Sequence, residues 1–207
     1  MISNDAANIW EELRHRDPEG KIAWIRALAA DSTDESVETL VRVLELESWF
    51  VRDQAARLLG TLGERIIDPL TELLDSGLWY TRSAAAMALG RTGSPLAAVP
   101  LVGILLDPNR TVRDSGLEAI AKLCDTDAGR FAVAAAIHAL EPRPQGFVLE
   151  GLAARDAHAA QAIHSLLREP GGPSLAGYER LDRAVNEGGS LLWEDVVGGD
   201  GVDSSRG

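Results

Sequence analysis

The sequence is poor in cysteine and lysine. Cys124 is the only cysteine among the 207 residues, which excludes an internal disulfide framework. Lysine occurs twice, at Lys21 and Lys122, whereas arginine occurs 18 times. No apolar run approaches the roughly 20 residues of a membrane-spanning helix, and the first residues lack the basic and apolar segments of a secretory signal. We therefore expect a cytoplasmic protein without a membrane segment.

Net positive charge is also lacking, since the formal net charge is −12. Residues 1–50 hold five basic against eleven acidic residues, and residues 124–207 hold seven against thirteen. Residues 51–123 hold eight of each and are neutral. Binding the phosphates of a nucleic acid requires clustered basic residues. The charge distribution therefore makes nucleic acid an unlikely partner.

The signatures of common catalytic and metal sites are absent as well. We find no nucleophile elbow, P-loop or dinucleotide-binding glycine motif. His138 and His164 occupy equivalent positions of two Ala-Ile-His segments, but His158 and Glu141 are not spaced to complete a metal-ligand set. Cys124 is interpreted as a buried structural thiol. We predict no catalytic residues, no metal and no cofactor, which favours a non-enzymatic role without deciding it.

What the sequence does contain is an internal repeat. Residues 49–63, WFVRDQAARLLGTLG, align with residues 79–93, WYTRSAAAMALGRTG, and a third copy begins at Arg110. Apolar residues in these copies follow the spacing of one helix face. A second helical block follows the first, at residues 66–77 and 96–109. Because one helical pair cannot bury both of its apolar faces, the repeat predicts a stack of helical hairpins.

Glycine and proline mark the expected helix boundaries within each repeat. Four glycines fall where the first helices are expected to end, namely Gly60, Gly63, Gly90 and Gly93. Glycine suits this position because it adopts positive φ without strain. Pro69 and Pro100 fall in the first turn of the second helices, where the missing N–H costs least.

These patterns predict an all-α fold, a right-handed α-solenoid of about five helical-hairpin repeats with capping helices. Residues 1–20 are assigned to an N-terminal capping helix and residues 21–168 to the repeat array, which is clearest at 49–123. Residues 169–197 are predicted to form a C-terminal capping segment. Residues 198–207 have the composition of a disordered tail.

The repeats resemble the short HEAT-like repeats first associated with phycobilisome lyases. One copy carries the resemblance in Val51-Arg52, Ala55-Ala56, Leu59-Gly60 and Leu62-Gly63, and the next in Arg82, Leu89-Gly90 and Gly93. Such repeats occur in lyases, in adaptors and in proteins without enzymatic activity, so the fold alone does not decide the function. The leading hypothesis is a protein–protein interaction adaptor. The alternative is a bilin lyase-like protein or lyase subunit, and a HEAT-like DNA-repair protein is less favoured.

Arginine recurs at one position of the repeat, as Arg52, Arg82 and Arg113. We interpret this column as a structural ladder in which the guanidinium groups pair with acidic residues of the loops, such as Asp75 or Asp107. An anion-binding site is the alternative interpretation.

Two surfaces are candidates for binding another protein, whose identity stays open. The aromatic pairs Trp49-Phe50 and Trp79-Tyr80 recur at the start of the first helices, and such side chains often anchor interfaces. At least one member of each pair is expected to act instead as a hydrophobic staple over the loop. The second candidate is the exposed face of the second helices, with Glu38, Arg42, Glu72, His138 and His164.

Overall fold

The computed structural model describes residues 6–168 and Pro173, and every regular element within them is helical. The helices are α1 (Ala6–Arg14), α2 (Pro18–Asp31), α3 (Asp34–Leu46), α4 (Trp49–Leu59), α5 (Ile67–Leu73), α6 (Trp79–Thr92), α7 (Ala98–Ile104), α8 (Arg110–Leu123), α9 (Asp127–His138), α10 (Pro142–Arg155) and α11 (Ala157–Arg168). Short 3₁₀ segments, Gly60–Ile66 and Pro95–Ala97, lead into α5 and α7, and the first is interrupted at Gly63, whose φ of 73° and ψ of −145° are not helical. Apart from Pro173, the expected capping segment 169–197 and tail 198–207 lie outside the described residues.

The helices pair as hairpins and stack in two layers. In the first-helix layer, α2, α4, α6, α8 and α10 contact one another in that order. In the second-helix layer, α3 contacts α5, α7 contacts α9, and α9 contacts α11. Helix α1 packs on α3 ahead of the first hairpin. The all-α solenoid predicted from the repeat is therefore confirmed.

The core lies between the layers and follows the repeat register. Leu40, Leu70 and Leu101 of successive second helices are fully buried. Leu59, Leu89 and Ile120 of successive first helices are buried in the same way. Each set is spaced by 30 and then 31 residues, so the sequence repeat is also the spacing of the core. Since each hairpin has apolar residues on two sides, only stacking can remove them all from water.

Several helices begin at a polar side chain that caps the first turn. Oδ1 of Asp17 accepts a hydrogen bond from the N–H of Gly20, and Oγ1 of Thr33 accepts one from the N–H of Ser36. Asn109 caps α8 and Thr126 caps α9 in the same way. These caps satisfy N–H groups that have no partner inside a helix, and they set where each helix starts.

The four repeat glycines serve two different purposes. Gly63 and Gly93 have positive φ values of 73° and 67°, as expected after a first helix. Gly60 follows α4 but has a right-handed φ of −57°, and Gly90 lies inside α6, so the prediction that Gly90 ends a helix is wrong. A Cβ on Gly90 would lie 2.5 Å from the Cα of Ala119 on α8. Gly90 is therefore a site of close helix approach rather than a helix end.

No helix within residues 6–168 is long and apolar enough to cross a lipid bilayer.

Candidate functional site

The recurring aromatic pairs lie at the exposed start of α4 and α6. Trp49 is 73% exposed, Phe50 45% and Trp79 47%, while Tyr80 is half-buried. Within each pair the rings meet edge to face, with centroids 6.0 Å apart for Trp49 and Phe50 and 5.8 Å apart for Trp79 and Tyr80. The pairs thus place an unusual amount of aromatic surface in contact with water.

A groove opens between α4 and α6 beside these rings, with a volume of about 280 Å³. We call it the aromatic groove. Its walls are Trp49, Arg52, Asp53 and Ala56 from α4 and Trp79, Tyr80, Ser83, Ala84 and Met87 from α6. Ala56 and Ala84 are small lining residues, whereas Trp49 and Trp79 are large and exposed at the start of their helices.

Arg52 holds Tyr80 as one wall of the aromatic groove. Its guanidinium carbon lies 4.1 Å from the centroid of the Tyr80 ring, a cation–π contact. Its Nη2 donates a hydrogen bond of 2.6 Å to the carbonyl oxygen of Glu47, just before α4. Burial lowers the pKa of Arg52, and its Nε has no hydrogen-bond partner within the described part of the chain. The contact with Arg52 therefore restrains the Tyr80 ring at the wall of the aromatic groove.

Arg82 and Arg113, the other members of the arginine column, both hold the loop before α8. Arg82 binds the carboxylate of Asp107 through two hydrogen bonds, Nε–Oδ2 at 2.7 Å and Nη2–Oδ1 at 3.1 Å. Its Nη1 also donates to the carbonyl oxygen of Ser76. Arg113 Nη1 donates to the carbonyl oxygen of Asp107 at 2.7 Å. Asp75 pairs with none of the three column arginines within residues 6–168.

The environment of Asp107 favours its charged form. Burial raises the pKa of Asp107, but the hydrogen bonds from Arg82 and from the N–H of Asn109 outweigh that effect. The pKa of Asp107 therefore lies below its ordinary value, and the pair with Arg82 keeps both charges. The charges of Arg82 and Asp107 are therefore paired with each other inside the fold.

A second pocket adjoins the aromatic groove near the C-terminal ends of the first helices. We call it the basic pocket, and it has a volume of about 250 Å³. Its lining consists of Arg57, Met87, Gly90, Arg91, Glu118, Ala119 and Lys122, from α4, α6 and α8. Because Met87 lines both cavities, they follow one another along the same helical layer.

Basic groups exceed acidic groups around Arg91. Arg57 Nε lies 2.8 Å from Oδ2 of Asp53, and Arg91 Nη2 lies 3.6 Å from Oδ1 of the same carboxylate. Two guanidinium groups thus share one carboxylate. Burial, together with the like charge of Arg57, lowers the pKa of Arg91. Arg91 Nη1 is buried and has no hydrogen-bond partner among the residues that the structure describes.

The basic pocket was not predicted from the sequence. Arg91 and Lys122 are 31 residues apart and so occupy one column of the repeat, a signal that the alignment of the copies contains. Arg57 comes from a different position of its repeat and reaches the pocket only through the packing of α4 on α6. The equal numbers of acidic and basic residues in 51–123 conceal this local excess.

The candidate residues of the second helices lie elsewhere. Five of them are exposed on that layer: Glu38 and Arg42 on α3, Glu72 on α5, His138 on α9 and His164 on α11. Arg42 pairs with Glu45 at 2.9 Å on its own helix. None of these residues lines the aromatic groove or the basic pocket. The two candidate surfaces are therefore on opposite layers.

Comparison with protein families identifies the class of protein. Residues 7–77 and residues 51–121 each match the model of the HEAT repeats. Because the two overlapping matches cover more than half of the chain, the chain belongs to the HEAT-repeat family. No curated protein matches the sequence. The family accounts for the stacked hairpins, whereas the aromatic groove and the basic pocket are features of this chain's own residues.

Proposed function

We propose that this HEAT-repeat protein is a non-enzymatic protein-interaction module whose partner docks in the aromatic groove. The observation that carries the proposal is the exposure of Trp49 and Trp79 on the two rims of one apolar groove. Tryptophan is the residue type most enriched among side chains that dominate binding energy at interfaces. An exposed pair of them beside a cavity is the arrangement expected of a docking site.

The size and rigidity of the groove support a protein segment as the ligand. Small-molecule sites usually measure roughly 300–1,000 Å³, and this groove is slightly smaller and open at its rim. It suits one or two bulky apolar side chains of a partner. Since Arg52 already holds the Tyr80 ring, less conformational freedom is lost on binding.

The test is a comparison of captured partners between matched variants. Trp49→Ala combined with Trp79→Ala removes both rims, and Phe147→Ala removes an aromatic side chain of similar exposure on α10, outside the groove. We expect proteins captured by the wild type from the source organism to be kept by Phe147→Ala. We expect them to be lost with the double variant, because removing one such anchor commonly costs about 2 kcal/mol or more, roughly thirtyfold in affinity.

Two results would count against this proposal. If the double variant captures the same proteins as the wild type, the groove is not the docking surface, and exchange of Glu38, Arg42 and Glu72 becomes the next test. If the wild type captures no protein specifically, the interaction role itself fails. Circular dichroism of each variant verifies that the helices remain folded.

A further inference from the structure

We propose that the aromatic groove and the basic pocket form one composite docking site, and that the segment Leu191–Val197 of this chain binds there. This segment, LLWEDVV, lies outside the described residues. The inference rests on the proposed function of the aromatic groove and names an occupant that a partner would have to displace. Four observations support it: the order of the two cavities, the spacing within the segment, the charge of the pocket and the reach of the chain.

The two cavities define a spacing that an occupant must match. Along α6 the aromatic groove extends from Trp79 to Met87, and the basic pocket extends from Met87 to Arg91. Their midpoints are separated by about six residues of helix, or roughly 9–10 Å at 1.5 Å per residue. An extended chain covers that distance in about three residues. Since side chains two or four residues apart lie on the same side of an extended chain, the occupant should carry a bulky apolar side chain two or four residues from a carboxylate.

The segment Leu191–Val197 has this pattern. Leu192 and Glu194 are two residues apart, and Leu191 and Asp195 are four residues apart. Trp193 adds a further large apolar side chain between them. With Leu192 in the aromatic groove, Glu194 comes to the basic pocket on the same side of the chain. An apolar segment without acidic residues would leave the pocket charges unmatched.

The charge around the basic pocket matches that of the segment. Four basic side chains, Arg57, Arg91, Lys122 and Arg155, are accompanied by two carboxylates, Asp53 and Glu118. The surroundings of the pocket are therefore net positive, which is opposite in sign to the charge of Glu194 and Asp195. The guanidinium of Arg91 lines the pocket, and its side chain is 20% exposed, so it can donate a hydrogen bond to an incoming carboxylate. Such charge-assisted hydrogen bonds are stronger than those between neutral groups.

The chain is long enough to bring the segment to the site. Helix α11 ends at Arg168, and residues 169–190 separate it from Leu191. A chain of that length spans up to about 70 Å when extended. The groove lies two to three hairpins from α11, and packed helices are about 8–10 Å apart. Even with a crossing between layers, the required path is well within this reach.

Disulfide trapping in the full-length chain tests the inference. Ser83 lines the aromatic groove, so we pair Ser83→Cys with Leu192→Cys and oxidise with a glutathione buffer. The native Cys124 should not interfere, because burial raises its pKa to about 12. We expect a monomeric species with an internal disulfide. It should form at least about tenfold faster than in the same cysteine pair carrying Glu194→Gln and Asp195→Asn, because docking raises the effective concentration of the two thiols.

Further variants make either result decisive. Met87→Cys with Leu192→Cys is a second groove pair, should Ser83→Cys fail to fold. Glu38→Cys with Leu192→Cys places the thiol on the opposite layer and should react slowly. Equal rates with and without the acidic residues would overturn the inference, as would a disulfide-linked dimer as the main product, which would make a second copy the donor of the segment.

The two proposals can fail separately. If trapping fails while the Trp49 and Trp79 double variant still loses its captured proteins, the groove binds a partner and the internal occupant is wrong. If trapping succeeds while capture by that double variant is unchanged, the groove serves the chain's own segment and the partner binds elsewhere.

Discussion

At the scale of single residues, the arginine column shows how one repeated position acquires different partners. Each guanidinium donates to a carbonyl oxygen of the loop before its own helix, from Arg52 to Glu47, from Arg82 to Ser76 and from Arg113 to Asp107. The other contacts differ, since Arg82 has a carboxylate and Arg52 an aromatic ring. The column itself is visible in the sequence. The partner of each member depends on which residue the neighbouring repeat places beside it.

The pair Arg82–Asp107 should contribute strongly to stability. The two side chains are only 14% and 6% exposed. Removing one member of a buried pair leaves the other charge without its partner, so Asp107→Asn should lower the free energy of unfolding by about 3 kcal/mol. Urea denaturation measures this. Asp114→Asn is the control, because Asp114 and Arg110 are exposed and 3.6 Å apart, and its cost should stay below about 0.5 kcal/mol.

The pH dependence of the same variant gives an independent check. Asp107 has a lowered pKa in the folded protein, so its stabilisation is fully present above the unfolded value near 4. It is lost as the pH falls through the lower folded value. The difference in unfolding free energy between wild type and Asp107→Asn should therefore shrink progressively below about pH 4. A difference that stays constant between pH 7 and strongly acidic pH would show that the charge of Asp107 is not the cause.

At the scale of helices, the sequence predicted the existence and type of the elements better than their ends. The aligned copies at 49–63 and 79–93 identified α4 and α6, because the same helical spacing of apolar residues occurs in both copies. The 3₁₀ segment Gly60–Ile66 was not predicted. Gly90 was misread as a helix end because a terminal glycine and a close-contact glycine look alike in sequence. The atom that requires glycine there belongs to Ala119, about one repeat away.

Helices α6 and α8 should tolerate no side chain at Gly90. A Cβ there would lie 2.5 Å from both the Cα and the Cβ of Ala119 and 3.1 Å from its carbonyl oxygen. Alanine gains about 1 kcal/mol over glycine in a helix interior, but forcing two backbones apart typically costs about 1–3 kcal/mol or more. We expect Gly90→Ala to be destabilising overall in thermal or urea unfolding.

The matched control for Gly90→Ala is Gly103→Ala in α7. A Cβ on Gly103 would meet nothing within 4 Å among the described residues, and its φ is not positive. This substitution should raise stability by about 0.4–1 kcal/mol, since it only restricts the unfolded chain. If both variants changed stability in the same direction, the close contact with Ala119 would not be what requires glycine at position 90.

At the scale of the whole molecule, only half of the candidate site could be predicted. The aromatic pairs were identified because each copy carries its pair at one position. The basic pocket combines Arg57, Arg91 and Lys122 from three successive first helices, and its formation depends on how the hairpins stack. The net charge of residues 51–123 cannot show that Arg57, Arg91 and Lys122 lie in one pocket. Acidic residues elsewhere in this range cancel their positive charge in the total.

Stacking of hairpins also predicts how stability is distributed along the array. Each hairpin packs mainly on its neighbours, so the outer hairpins can open without disrupting the middle. The burial of the helices supports this order. In α10 only Val148 and Leu152 are buried, and in α2 only Ile25 and Leu28, whereas α6 and α9 are buried along much of their length.

Hydrogen–deuterium exchange followed by mass spectrometry should therefore find the slowest amide exchange in α6, α8 and α9. Faster exchange is expected in α2 and α10, because opening them exposes less apolar surface. The Gly90→Ala variant extends the test. Loosening the contact between α6 and α8 should accelerate exchange in these two helices more than in α2. Uniform protection across residues 6–168 would contradict the predicted difference between inner and outer helices. It would show that the hairpins open as one cooperative unit, with stronger coupling at the outer hairpins than their burial indicates.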